Sequence, residues 1–376
     1  MKKIVFALLM IGAQHIYAQK PEVVHSVAKE WKEESWYLNQ QQAWKKEIDK
    51  NKSNQEAWMN YYAATRALSN VVPDGNYRQQ RQQIVEEANK AIPKTFAAYY
   101  LSYSEKPLDK GSEDLLKAAA INDKDVRIWD ELMIHYAIEG NEAKHKQYAQ
   151  LLYQYNDLPG SMLNWAYNML AELEPNAILV THGDNDTYAA WIVQAAKNFR
   201  PDVTVINKYL FTSDNYRNRL LQSWGYKPLN VSTNNLTSQA AADSADEKIW
   251  NHVFEGKRPV YIANSGIRAF EDKWKNDLYL TGLTYRYSKE SIDNLSIIIR
   301  NYESRYLLDH LNQSFEYHMM DETTNLLLGT YLPSMIRLYE HYKLSENVTM
   351  KEKYASLIRT VAEISGRQEE VNKIVK

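Results

Sequence analysis

The sequence predicts a chain of the α/β plus all-α class, in which a small, mostly parallel sheet is flanked by N- and C-terminal helical hairpins. Three observations carry this prediction. Apolar residues recur at helical spacing from Trp31 to about Leu170, the period shortens to strand-like runs between about Pro175 and Tyr287, and helical spacing returns after Ser291. The expected domains are a helical region at 19–174, an α/β region at 175–290 and a second helical region at 291–376, behind a leader at 1–18.

The leader is read from Lys2 and Lys3, the apolar run Ile4 to Ala13, and the small-residue cleavage site at Ile16-Tyr17-Ala18. The run is too short to span a bilayer, and no cysteine is present to carry a lipid. The expected location is periplasmic, with secretion as the alternative, and no membrane span is expected after cleavage. From Trp31 onward, turn residues at Asn51-Lys52-Ser53-Asn54, Val72-Pro73-Asp74-Gly75, Lys106-Pro107, Asn122-Asp123 and Gly140-Asn141 divide the helical pattern into hairpins. Trp58, Phe96 and Trp129 recur at roughly 33 to 38 residues, a spacing near that of helical solenoid repeats. Between Val126 and Leu158, Trp129, Leu132, Met133 and Tyr136 line one helix, Gly140 turns the chain, and Ala143, Tyr148, Leu151 and Leu152 line the return helix.

In the centre, Ile178-Leu179-Val180 reads as a strand, the stretch from Thr187 as a helix, and the run from Val203 as a second strand, forming a βαβ unit. Pro259 to Ser265 reads as a third strand and Leu278 to Tyr287 as a fourth. Tyr216 to Trp224 is expected as a helix and the polar stretch Asn230 to Asp246 as an exposed loop. The tail reads as helices over Leu295 to Leu311, Thr324 to Tyr342 with a break at Pro333, and Val348 to Ile364 ending at Gly366.

Composition narrows the function. The absence of cysteine removes disulfides, thiolate metal sites and cysteine nucleophiles. The formal charge is −2, and −4 once Lys2 and Lys3 leave with the leader, so no basic field exists to attract nucleic acid. No glycine pattern suits a dinucleotide or triphosphate cradle, and neither H-E-x-x-H nor G-x-S-x-G occurs. With 28 Tyr and 10 Trp, the chain can fill helix interfaces with rings or offer them to carbohydrate or peptide.

Candidate binding residues gather where strands end, since ligands of open α/β sheets sit beyond the carboxyl ends of strands. After the first strand stand His182, Asp184, Asn185 and Asp186. Asp214 follows the second, and Asn264, Ser265 and Arg268 follow the third. The pair Asp184 and Asp186 could hold Mg²⁺, Mn²⁺ or Ca²⁺, but capping of the helix that follows is the favoured reading. His182 offers an acid, base or ligand, and Arg268 a partner for phosphate or carboxylate, or for Glu271 or Asp272. No cofactor is expected apart from a divalent metal at that pair. Asp243-Ser244-Ala245 resembles an acceptor sequence for envelope O-glycosylation, with Ser244 as the glycan acceptor.

Two resemblances complete the reading. The unit Val126 to Leu158 resembles a degenerate tetratricopeptide repeat. Ala177-Ile178-Leu179, Gly183-Asp184-Asn185-Asp186-Thr187-Tyr188, Trp191, Gln194, Arg200-Pro201-Asp202-Val203, Val205-Ile206-Asn207, Arg258-Pro259-Val260-Tyr261 and Leu280 to Arg286 together resemble the soluble C-terminal part of a bacterial family of multi-spanning membrane proteins of unknown function, whose membrane half is similar to protein O-mannosyltransferases. This resemblance implies a Rossmann-like module with repeat-like helices on the outer side of the inner membrane. The family's membrane half has no counterpart here, so its activity is not carried over, and His182 stands where the relatives usually carry a neutral residue. The expected role is an exported scaffold that recognises an envelope protein, a peptide or a glycan; the alternative is a metal-dependent enzyme or accessory subunit acting on envelope glycans.

Overall fold

Five short strands and eighteen α-helices, joined by loops and short 3-10 or π turns, make up the described part of the chain. The computed structural model describes residues 21–233, 236, 238–312 and 318–375, so the expected leader lies outside the described residues. Among the described residues, no helix is long and apolar enough to cross a membrane. The described residues divide into two compact units, one containing 21–27 and 31–121, the other containing 28–30 and those from 122 onward.

The first unit holds helices α1 (Glu34–Lys50), α2 (Gln55–Val71), α3 (Tyr77–Ala91), α4 (Phe96–Ser104) and α5 (Leu108–Ile121). Asn54 and Thr95 start α2 and α4 by accepting the N–H groups of Ala57 and Ala98, satisfying donors that the helix itself leaves open. Tyr37, Ala64, Ala67 and Leu68 are buried where α1 packs on α2, and small residues at 64 and 67 let the two backbones approach.

The second unit begins with the pair α6 (Trp129–Glu139) and α7 (Glu142–Gln154), a helical hairpin as expected. Gly140 ends α6 at φ 75°, a conformation that costs glycine nothing, and Asn141 caps α7 by accepting the Lys144 N–H. Across the pair Tyr136 stacks on Tyr148 with ring centres 5.8 Å apart. Helix α8 (Gly160–Ala171) then leads into the sheet region: β1 (Ile178–Thr181), α9 (Asp184–Lys197), β2 (Thr204–Asn207), α10 (Asp214–Ser223), α11 (Gln239–Phe254), β3 (Val260–Ala263), α12 (Glu271–Trp274), β4 (Leu278–Leu280) and β5 (Thr284–Tyr287).

The strand order is β2-β1-β3-β5-β4. β1 pairs parallel with β2 and with β3, whereas β5 pairs antiparallel with β3 and with β4. The sheet is therefore mixed, which corrects the expectation of a mostly parallel one. The stretch Leu278 to Tyr287 is a hairpin of two strands, because the chain turns at Thr281-Gly282-Leu283. A Cβ on Gly282 would land on the Tyr306 hydroxyl and the Glu172 carboxylate, so only glycine fits there.

The parallel strands are apolar on both faces, as strands covered twice must be. Ile178, Val180, Ile206 and Ile262 meet Tyr216, Leu221, Trp250 and Phe254 from α10 and α11 on one side. The alternate residues Leu179, Val205 and Tyr261 point to the other face and are equally buried. Connections are clamped by side chains bonded to main-chain carbonyls. Arg200 donates to Leu170, Leu173 and Glu174, Gln194 to Arg200 and Val203, and Trp191 to Val205. Arg258 bonds in the same way to Asn176, Ala177 and Asp202. The Arg200 guanidinium also holds the Asp202 carboxyl down at about 2.

Two further segments differ from the sequence expectation. Residues 239–246, expected in an exposed loop, form the first half of α11: Ser238 caps it by accepting the Ala241 N–H at 3.2 Å, and the alanines of Gln239-Ala240-Ala241-Ala242 favour helix over their polar surroundings. The helix expected over Leu295 to Leu311 is α13 (Asn294–Arg300), followed by a π turn at Asn301–Arg305 and then α14 (Asp309–Asn312). Asn301 donates to the Thr281 carbonyl at 2.8 Å, and Tyr306 leaves the helix to reach Glu172. The tail closes with α15 (Asp321–Leu328), α16 (Leu332–Leu344), α17 (Val348–Ile364) and α18 (Gln368–Val371), with Pro333 in the first turn of α16 where its missing N–H costs nothing.

Replacing Gly282 with alanine is expected to lower unfolding stability by about 1–3 kcal/mol, the usual cost of forcing atoms into a packed interior. Urea unfolding of the full chain measures it, and an unchanged midpoint would contradict the crowding at this turn.

Candidate functional site

β1 lies between β2 and β3, and the chain crosses from one side of β1 to the other after β2. The carboxyl ends of β1 and β3 therefore form a topological switch point, the place where such sheets leave a crevice. Residues from three loops meet there.

Asp186, in the first turn of α9, is 3% exposed. Its carboxylate accepts the N–H groups of His182 and Gly183, each at 2.9 Å, and the Ser265 hydroxyl at 2.6 Å. It thus closes the β1–α9 loop on itself and ties it to the end of β3. Gly183 has no side chain with which to return a cap, so Asp186 holds the loop from one side. Thr187 completes the closure, since its hydroxyl donates to the Gly183 carbonyl and lies 2.6 Å from the Thr181 hydroxyl. From the end of β2, Asn207 donates to the Gly183 carbonyl at 3.0 Å and accepts the Tyr209 and Leu210 N–H groups.

Outside this knot lies a rim. His182 and Asn185 are half-buried, and Asp184 is exposed. Tyr209 is 57% exposed and meets His182 edge-to-face, with its hydroxyl 3.3 Å from Nε2. His182 Nδ1 is buried without a partner among the described residues. Gly266 lets the turn after β3 approach His182, because a Cβ there would stand 3.0 Å from the His182 Cβ. Lys208 pairs with Asp246 at 3.1 Å and lies over the Tyr209 ring.

Of the residues singled out from sequence, His182, Asp186 and Ser265 come together, with Asp184 and Asn185 adjoining them on α9. Asn264 donates its side-chain amide to the Thr330 carbonyl between α15 and α16. Asp214 pairs with Arg217, whose fully buried guanidinium also binds the carbonyls of Thr212, Leu229 and Val231. Arg268 is exposed in the turn after β3, and Ser244 is exposed on α11. Sequence reasoning missed Asn207 and Tyr209, although Asn207 ends β2 as His182 follows β1, and the same strand-end rule points to both.

A divalent ion needs several oxygen ligands with lone pairs to spare. Asp186 has three donors on its two oxygens, and among the described residues no group of three or more His, Asp or Glu side chains is arranged to hold a metal. The two carboxylates thus differ in setting, with Asp186 buried and serving the loop and Asp184 exposed on the first turn of α9.

A family described as TMEM260-associated domain 2 matches residues 162–247, the span from α8 through β1, α9, β2 and α10 into α11. Over that span the chain is similar to a module associated with a membrane-protein family. No curated protein matches the chain.

Asp186→Asn should destabilise the fold by about 1.5–3 kcal/mol, because it weakens a charge-assisted acceptor shared by two buried N–H groups and a hydroxyl. Asp184→Asn, at an exposed first-turn position, should cost less than about 1 kcal/mol. Paired urea titrations test this, and equal losses in the two variants would refute the division of roles.

Proposed function

We propose that the protein is an exported, periplasmic binding module, in which a Rossmann-like sheet carries the recognition surface and tetratricopeptide-like helical hairpins frame it. The partner class is an envelope protein or peptide, with a glycan as the further candidate. The observation that carries this reading is the use of the Asp186 carboxylate: three internal donors take it, so the switch point is rigid inside and its outward groups are Tyr209, His182, Asp184 and Asn185. An exposed tyrosine held in place by a neighbouring ring offers large contact area at little entropic cost, which suits recognition. The match to a module associated with a membrane-protein family supports a place in the envelope. Ser244, exposed between Asp243 and Ala245 on α11, stands in the same reading as a glycan acceptor.

Capture of partners from envelope extract by the full chain, followed by affinity measurement on the partner identified, tests the proposal. Tyr209→Ala should weaken binding by about 2 kcal/mol, roughly 30-fold, while leaving the melting temperature unchanged. Undiminished binding would move the recognition surface elsewhere. If Mg²⁺ or Mn²⁺ instead raises the melting temperature of the parent but not of Asp184→Asn, the metal-dependent alternative replaces the scaffold reading.

A further inference from the structure

Glu172, immediately after α8, is 2% exposed and has no place in the switch-point site. Four donors surround its carboxyl. The Leu283 N–H reaches one oxygen at 2.9 Å, together with the Tyr306 hydroxyl, and the Thr281 and Thr284 hydroxyls reach the other. Among the described residues, no Lys, Arg or His pairs with it. Arg305, packed against it, gives its donors to the main-chain carbonyls of Ala171 and Glu172. Arg200 is bonded to carbonyls and to Asp202, and Arg286 pairs with Glu174 at 3.1 Å. The remaining titratable neighbours are Tyr302, Tyr306, Tyr331 and, on β3, Tyr261, all phenols that stay neutral at ordinary pH.

The donors are of two kinds. Leu283 N–H is fixed and needs an acceptor. The three hydroxyls can turn to accept, so a proton on the other carboxyl oxygen has a ready partner in Thr284 or Thr281. A neutral carboxylic acid keeps the Leu283 bond and, once one threonine hydroxyl turns to accept, has a partner for its proton, whereas a carboxylate buried there has hydroxyl and amide dipoles but no ion pair to offset its lost hydration.

We propose that Glu172 is a proton-operated latch: neutral, it pins the turn 281–284 and Tyr306 to the end of α8, and on ionising it releases that turn. The turn leads onward to the sheet, since the Leu283 carbonyl accepts the Asn264 N–H at 2.9 Å, one residue before Ser265. Burial pushes the Glu172 acid up from 4.5 to about 7, against the pull of the surrounding donors. Since folding raises its proton affinity, its contribution to stability is complete below pH 4.5, declines as pH rises toward 7, and is lost above.

The test is amide hydrogen exchange of the full chain, corrected for intrinsic rates. Protection of the Leu283 and Asn264 amides is expected to fall at least tenfold between pH 5.5 and pH 8, while the amides of Leu179 and Val180 in β1 hold steady. Glu172→Gln, whose amide can donate to the two threonine hydroxyls while its oxygen accepts from Leu283, should abolish that pH dependence. Equal protection at both pH values in the parent, or the same fall in Glu172→Gln, would overturn the latch. Should the variant fail to fold, a carboxyl ¹³C titration of the parent decides: a buried glutamate with its midpoint near 7 supports the proposal, and all glutamates titrating below pH 5 refutes it.

Discussion

One face of α8 holds the second unit together. Asn168 and Glu172 lie one helical turn apart and are both buried, yet both are polar. Asn168 exchanges hydrogen bonds with the backbone of Leu307 and also binds the Tyr331 hydroxyl, while Glu172 gathers the β4–β5 turn and Tyr306. The sheet and the C-terminal helices are thereby joined through directed bonds as well as apolar contact. Directed bonds fix register: a helix that slid by one residue would strand an amide and a carboxyl inside the protein. The π turn at Asn301–Arg305 fits this requirement, because it delivers Tyr306 to Glu172 while Asn301 holds Thr281.

The same principle recurs around the sheet. Arg200, Arg217 and Arg258 spend most of their donors on main-chain carbonyls, and Gln194 and Trp191 do likewise. Short strands of three or four residues carry few ladder bonds, and long side chains supply the bonds that close the connections between them. Asp186 is the acidic counterpart, accepting from the loop that the arginines do not reach. Much of the text that resembles the multi-spanning membrane-protein family consists of these clamping residues, so that resemblance reports an architecture more directly than a chemistry.

Elements governed by local rules were readable from the sequence. The α6–α7 hairpin follows from an apolar stripe, a left-handed glycine and an asparagine cap, and α17 runs over the residues its pattern indicated. β1, α9 and β2 follow from the change of period. Elements decided by distant contacts were not. The split of Leu278 to Tyr287 depends on Gly282 meeting Glu172 and Tyr306, residues far away in the chain. In the site, the capping role of Asp186 was among the readings, but its bond to Ser265 could not be read, because nothing local specifies which strand lies beside β1. Glu172 carried no sign at all: in Ala171-Glu172-Leu173-Glu174-Pro175 it looks like an ordinary solvated helix end.

The strand order bears on how the matched segment can exist in other proteins. Residues 162–247 contain β1 and β2 but stop before β3, whose pairing covers the other side of β1. Cut out at those limits, the segment would turn its most apolar strand into an open edge, a template for strand exchange between copies. The Ser265 hydroxyl would be lost with it. In this chain the matched stretch is therefore only part of a folding unit, and it is β3, outside that stretch, that shields Ile178, Leu179 and Val180 from such exchange.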